Sequence, residues 1–250
     1  MYGDRPEPVE AATAFVAERF PEARVAFVGG SVLTEHRTPT SDLDVVVVLG
    51  EGVVAANGLV APFRETSEHA GWVVEAFVHT RASIDHYIGQ DVARRRPTMM
   101  RLCRDTVTLV DLEGAAEEIR EAAEAALAAG PPPYDEAELQ AVRYALTNLL
   151  DDMAGSERED ELVYLANAVV DQVAEIALVA GGRWSGGGKS LARELREAEP
   201  DLAERLVNGH RHVVVYGDTA VLHRAAVEVL LRVGGPLLAG YRVGGDQLPR

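Results

Sequence analysis

The chain opens with apolar residues at helical spacing, Val9, Ala12, Phe15, Val16 and Phe20, which predicts a first helix closed by Pro21. The period then shortens. Arg24-Val25-Ala26-Phe27-Val28 runs into Gly29 and Gly30 and reads as a short strand. A second strand is predicted from Asp42 to Leu49, where Val45 to Val48 are all valine; such unbroken runs belong to strands covered on both faces in the middle of a sheet. Trp72 to Val78 reads as a third strand and Thr106 to Val110 as a fourth. Between those two, Ser83 is predicted to cap a short helix running from Ile84 through Ile88.

Beyond Asp111 the pattern is helical throughout. An Ala/Glu-rich helix from Glu113 to Ala129 stops at Gly130-Pro131-Pro132-Pro133, and further helices are predicted over Glu136 to Met153, Glu159 to Val179, Leu191 to Val207 and Thr219 to Val233. Helices of this length with short connections suggest an antiparallel bundle. The change falls between residues 112 and 134, and we divide the chain into 1–112 and 113–250. The fold class expected is α+β, a mixed sheet with helices followed by an all-α helical bundle.

Composition narrows the classes. With 250 residues, 47% of them hydrophobic, the chain has material for two ordinary cores. No run approaches the ~18 apolar residues that span a bilayer, and Met1 to Pro8 lacks a cationic segment followed by an apolar one. Cys103 is the single cysteine, so neither a disulfide framework nor a multi-thiolate zinc site is expected. The expectation is a cytoplasmic protein, monomeric or homodimeric, with no membrane partner. The net charge of −16, with Arg94-Arg95-Arg96 the only short basic cluster, argues against long nucleic acid as a partner. It suits steering of a cationic small molecule, and it equally serves solubility.

The chemistry concentrates in two strands and one turn. Asp42 and Asp44 stand at i and i+2, so on a strand both carboxylates leave the same face, less than ~7 Å apart along the backbone. That spacing lets them share metal ions ~3.5–4 Å apart, as in two-metal phosphoryl-transfer sites. Glu75 is the only acid within the apolar third strand, and an acid there is costly unless paired. If the second and third strands are neighbours, Glu75 reaches the same metals or accepts the proton of an attacking hydroxyl. Upstream, Gly29 and Gly30 let backbone amides approach a phosphate and Ser31 adds a hydroxyl donor. Each piece alone is common in turns and strand ends; the order and spacing of all of them is not.

Gly30-Ser31, then Ser41-Asp42-Leu43-Asp44 before an aliphatic strand, resembles the Gly-Ser…Asp-x-Asp signature of the DNA polymerase β-like nucleotidyltransferase superfamily. The layout of the whole chain is similar to the aminoglycoside nucleotidyltransferase group, in which such a domain precedes a helical bundle. That resemblance implies two Mg2+ ions held by Asp42, Asp44 and Glu75, with Glu75 commonly the base. It implies nucleotide binding by Gly30, Ser31 and Ser41, and transfer of AMP from ATP to a substrate hydroxyl with release of pyrophosphate. In the second half, Gly186-Gly187-Gly188-Lys189 opening a helix and Tyr216 after a helix resemble the streptomycin/spectinomycin adenylyltransferases, which implies that Lys189 and Tyr216 bind nucleotide phosphates. A lysine after mobile glycines suits closure onto a triphosphate from a second domain.

Asp151 and Asp152 are predicted to end a helix, where acids oppose the macrodipole; a cationic acceptor in an interdomain cleft would account for them, as bundle acids do in the related enzymes. His36, between Ser31 and Asp42, is within reach of a triphosphate or simply exposed, and His79 is placed to face the cleft. Arg64 is expected to neutralise nucleotide charge or to pair with Glu65 or Glu68. Arg205 and His210 match the Arg-x4-His spacing of a nuclease motif that also arises freely in helices. The reading is a magnesium-dependent adenylyltransferase acting on a small, cationic, aminoglycoside-like molecule. The alternatives are an antitoxin-like enzyme that adenylylates a protein, and a non-catalytic nucleotide-binding module of the same fold.

Overall fold

A computed structural model describes residues 5–35, 37–112 and 114–244. The chain divides into two compact units, 1–129 and 130–250. In the first, helix α1 (Pro8–Arg19) starts with proline at its first position, where no intrahelical N–H is needed. It lays Ala11, Ala12, Phe15 and Val16 onto a five-stranded sheet. The strands are β1 (Val25–Gly29), β2 (Leu43–Val48), β3 (Phe63–His69), β4 (Trp72–His79) and β5 (Val107–Asp111), in the order β3-β4-β2-β1-β5. Only β2 and β4 run parallel; the other neighbours are antiparallel. The valine run of β2 is buried because β2 is the central strand.

Helices α2 (Arg81–Arg94), α3 (Thr98–Arg104) and α4 (Ala115–Ala129) complete the unit. The cap of α2 differs from the sequence expectation. Thr80 is the N-cap and Ser83 sits three residues inside, each side chain bonding the other's backbone N–H, so the helix begins earlier and runs to Arg94. Helix α4 packs on α3, β5 and β1, and Arg120 donates to Thr108 Oγ1 at 2.8 Å. The division at 112/113 is therefore moved to Ala129–Gly130: the apolar stripe of α4, Ala116, Ile119, Ala123 and Leu127, is buried within the sheet unit. Glu113, where that helix was expected to start, lies outside the described residues.

The second unit is all helical among its described residues: α5 (Glu136–Gly155), α6 (Glu159–Ala180), α7 (Lys189–Ala198), α8 (Pro200–Tyr216) and α9 (Ala220–Arg232). The single helix expected from Leu191 to Val207 is two. Glu199 breaks the helical backbone at φ −140°, and Pro200 opens α8 at a position where its missing N–H costs nothing. Helix α6 is long and apolar enough to cross a membrane by length and composition. Its apolar side, including Ala166, Val169, Val173 and Ile176, forms the middle of the bundle core, packed by α5, α7, α8 and α9.

Candidate metal and nucleotide site

Strand alternation builds the site. Along β2, Leu43, Val45 and Val47 enter the core under α1, and along β4 Val74, Ala76 and Val78 do the same. The opposite phase carries Asp44 and Glu75, which stand directly across from each other in the parallel β2–β4 pair. Asp42, one residue before β2, falls in the same phase as Asp44. Each of the three offers a carboxylate oxygen within 4.8 Å of the others, and each is half-buried. At that separation each charged pair repels by about 3 kcal/mol at an effective dielectric of about 20. The donor set is all oxygen, the preference of magnesium, manganese and calcium rather than of softer ions. The residues thus fit a hard divalent cation.

The turn after β1 is packed against the same carboxylates. Gly29 pairs with Asp44 across β1–β2, and Gly30 follows with φ +90°. The positive φ favours glycine, and a Cβ on Gly30 would lie 2.2 Å from Asp44 Oδ2 and push that carboxylate aside. Ser31 opens a single 3-10 turn, Ser31–Leu33. Its hydroxyl lies 3.0 Å from Ser41 Oγ, and the buried Ser41 accepts from Thr38 N–H at 2.9 Å. Ser41 therefore braces the loop between the Gly-Ser turn and β2. His36 lies outside the described residues.

Arg64 departs from its expected partners. Glu65 is held by Arg19 and Asn57, while Arg64 pairs with Glu75 and sets its guanidinium 4.7 Å from the Phe77 ring centroid. The contact follows from the register of strand β3, which the sequence pattern did not reveal. Ala70 and Gly71 both take positive φ, forming a two-residue hairpin that pairs His69 with Trp72. Counting back from that turn sets Thr66 opposite Glu75 and Arg64 opposite Phe77. His79 does not face a cleft. It is buried, its Nδ1 is 3.0 Å from Ser83 Oγ, its ring meets Tyr87 edge-on, and burial drops its pKa from the usual 6.5 to about 4.

No protein-family profile matches the chain, and no curated protein does. Among solved structures it is similar to the crystal structure of nucleotidyltransferase-like protein from Exiguobacterium sibiricum 255-15, at a TM-score of 0.46 and 9% identity, over 90% of this chain and 74% of that one.

The remaining predicted residues lie in the helical unit. Lys189 is the exposed first residue of α7, preceded by Gly188 at φ +53°. Tyr216 is the last residue of α8 rather than a residue beyond its end, 73% exposed, with its ring edge-on to His212. Asp151 and Asp152 are exposed within α5, which continues to Gly155 instead of ending at them. They line an open pocket of about 600 Å³ with Ser156, Glu161, Tyr164 and Leu165. Arg205 pairs with Glu228 of α9, and His210 lies 2.6 Å from Asn167 Oδ1 of α6, so both tie α8 to its neighbours. A cavity of about 400 Å³ between α6, α7 and α8, floored by Ala174, Leu191, Leu195 and Leu206, had no signature in the sequence.

Proposed function

We propose that this protein is a divalent-metal-dependent nucleotidyltransferase that moves AMP from ATP to a hydroxyl of a small cationic molecule and releases pyrophosphate. The observation that carries this reading is the convergence of Asp42, Asp44 and Glu75 within 4.8 Å, with the Gly30-Ser31 turn packed on Asp44. Three acids crowded in this way repel one another, a repulsion that a cation among them relieves, and a glycine turn beside them gives a phosphate chain a place to lie. In this reading Asp42, Asp44 and Glu75 hold magnesium. When bound, the metal supplies charge neutralisation along the triphosphate and polarises the phosphoryl group.

The chain's own residues then do the following. Ser31 donates its hydroxyl, and the Gly29-Gly30 turn offers its backbone N–H groups, to phosphate oxygens. The acceptor oxygen forms a bond to the α-phosphorus as the bond to the β-phosphate oxygen breaks, and Glu75 is the assigned recipient of the hydroxyl proton. Holding the two reactants in line accounts for a large part of the rate. Lys189 and Tyr216 are assigned to nucleotide phosphates, and the acid-lined pocket of Asp151 and Asp152 suits an amine-bearing acceptor.

The test is to incubate the protein with magnesium and ATP labelled at the α-phosphate, against a panel of aminoglycosides and aminocyclitols. Label should move to a small acceptor with pyrophosphate release, and Asp44→Asn should lower that rate by roughly 100-fold or more. Label confined to a protein acceptor overturns the small-molecule assignment. Release of orthophosphate in place of pyrophosphate overturns nucleotidyl transfer itself.

A further inference from the structure

We propose that Arg64 is the positioning residue of the acidic triad, holding Glu75 in the direction from which it ligates metal. This rests on the metal-site reading above. Arg64 lies on β3, one strand beyond β4, and the hairpin register places it diagonal to Glu75 rather than across from it. It is fixed at two points. Its guanidinium lies 4.7 Å from the Phe77 ring centroid, and an N–H of the same group donates to Glu75 Oε2. While so bonded, Glu75 still brings an oxygen within 4.8 Å of Asp42 and Asp44, so the arginine does not draw it out of the cluster. A carboxylate has two oxygens and can serve an arginine and a cation together.

Glu75 faces two like charges, whose repulsion would swing its side chain away in the absence of metal. Arg64 opposes that swing. Carboxylates that bind metals are commonly held by such outer hydrogen bonds. A guanidinium stacked on a ring is a better fixture for this than a mobile ammonium.

Orientation and simple charge predict opposite signs. Removing a cation from beside a cation site tightens metal binding if only Coulomb's law acts, and weakens it if the lost group was holding a ligand in place. The experiment is Mn2+ binding without nucleotide, followed by electron paramagnetic resonance of the free ion, on the full chain. Wild type should bind Mn2+, and Asp44→Asn should lose it. Arg64→Met should weaken Mn2+ binding by about 10-fold or more, and Arg64→Lys should recover part of that loss, with thermal unfolding in EDTA unchanged in both. Phe77→Leu, which frees the guanidinium from its ring, should fall between wild type and Arg64→Met. Equal or tighter Mn2+ binding by Arg64→Met overturns the proposal while leaving the metal site standing. Failure of wild type to bind Mn2+ overturns both.

Discussion

Gly30 is the residue with least freedom in the site. Its φ of +90° and the 2.2 Å approach of a built Cβ to Asp44 Oδ2 act together. Gly30→Ala should displace Asp44, cost about 1–3 kcal/mol of stability, and abolish transfer; denaturant unfolding and the labelled-ATP assay read the two effects separately. His79 makes a different prediction. Its folded pKa of about 4 lies below the ordinary 6.5, so the folded state binds fewer protons than the unfolded one. The associated stability is complete above pH 6.5 and is lost as pH falls toward 4, on the order of 3 kcal/mol in full. Urea midpoints at pH 7 and 4.5 should drop less in His79→Asn than in wild type, and equal drops would contradict the assignment. Cys103 is fully buried and its thiol is pushed up to about 12, so it should resist DTNB until the chain unfolds.

At the scale of elements, α8 and α9 meet at Gly209, where a Cβ would come within 2.9 Å of Leu222 backbone atoms. Gly→Ala inside a helix ordinarily stabilises by about 1 kcal/mol; here overpacking should reverse the sign and lower the unfolding midpoint. The elements also show where the sequence was legible. The valine run of β2 and the nearly continuous apolar run of β4 announced the two strands that carry Asp44 and Glu75, because interior strands of a covered sheet take mostly apolar residues. Strand β3 was missed because it is an edge strand with every other residue exposed, and Arg64, Glu65 and Glu68 obscure its period. Helix α3 was missed because its seven residues are too few for periodicity; it is held by Asp91, whose carboxylate accepts Met100 N–H at 3.0 Å, and by burial of Met99, Met100 and Cys103. The triad was legible and its arginine was not: the acids share two strands with strong patterns, whereas the Arg64–Glu75 contact depends on a hairpin whose first turn residue is alanine at φ 49°.

At the scale of the molecule, the sheet unit and the helical unit each bury a core of their own. The boundary falls after α4: the composition of that helix resembles that of the bundle helices, while its packing partners are β1, β5, α2 and α3. The net charge of −16 bears on the whole surface. If it steers a cationic acceptor, kcat/KM for that acceptor should fall as ionic strength rises, while KM for ATP should not follow the same course. The proposed function requires that Asp42, Asp44, Glu75 and the Gly30-Ser31 turn form one metal–nucleotide site. Calorimetric titration of α,β-methylene ATP tests it without knowledge of the acceptor. Binding should require Mg2+ and should weaken by about 10-fold or more in Asp44→Asn; binding that is independent of Mg2+ and unchanged in Asp44→Asn would contradict it.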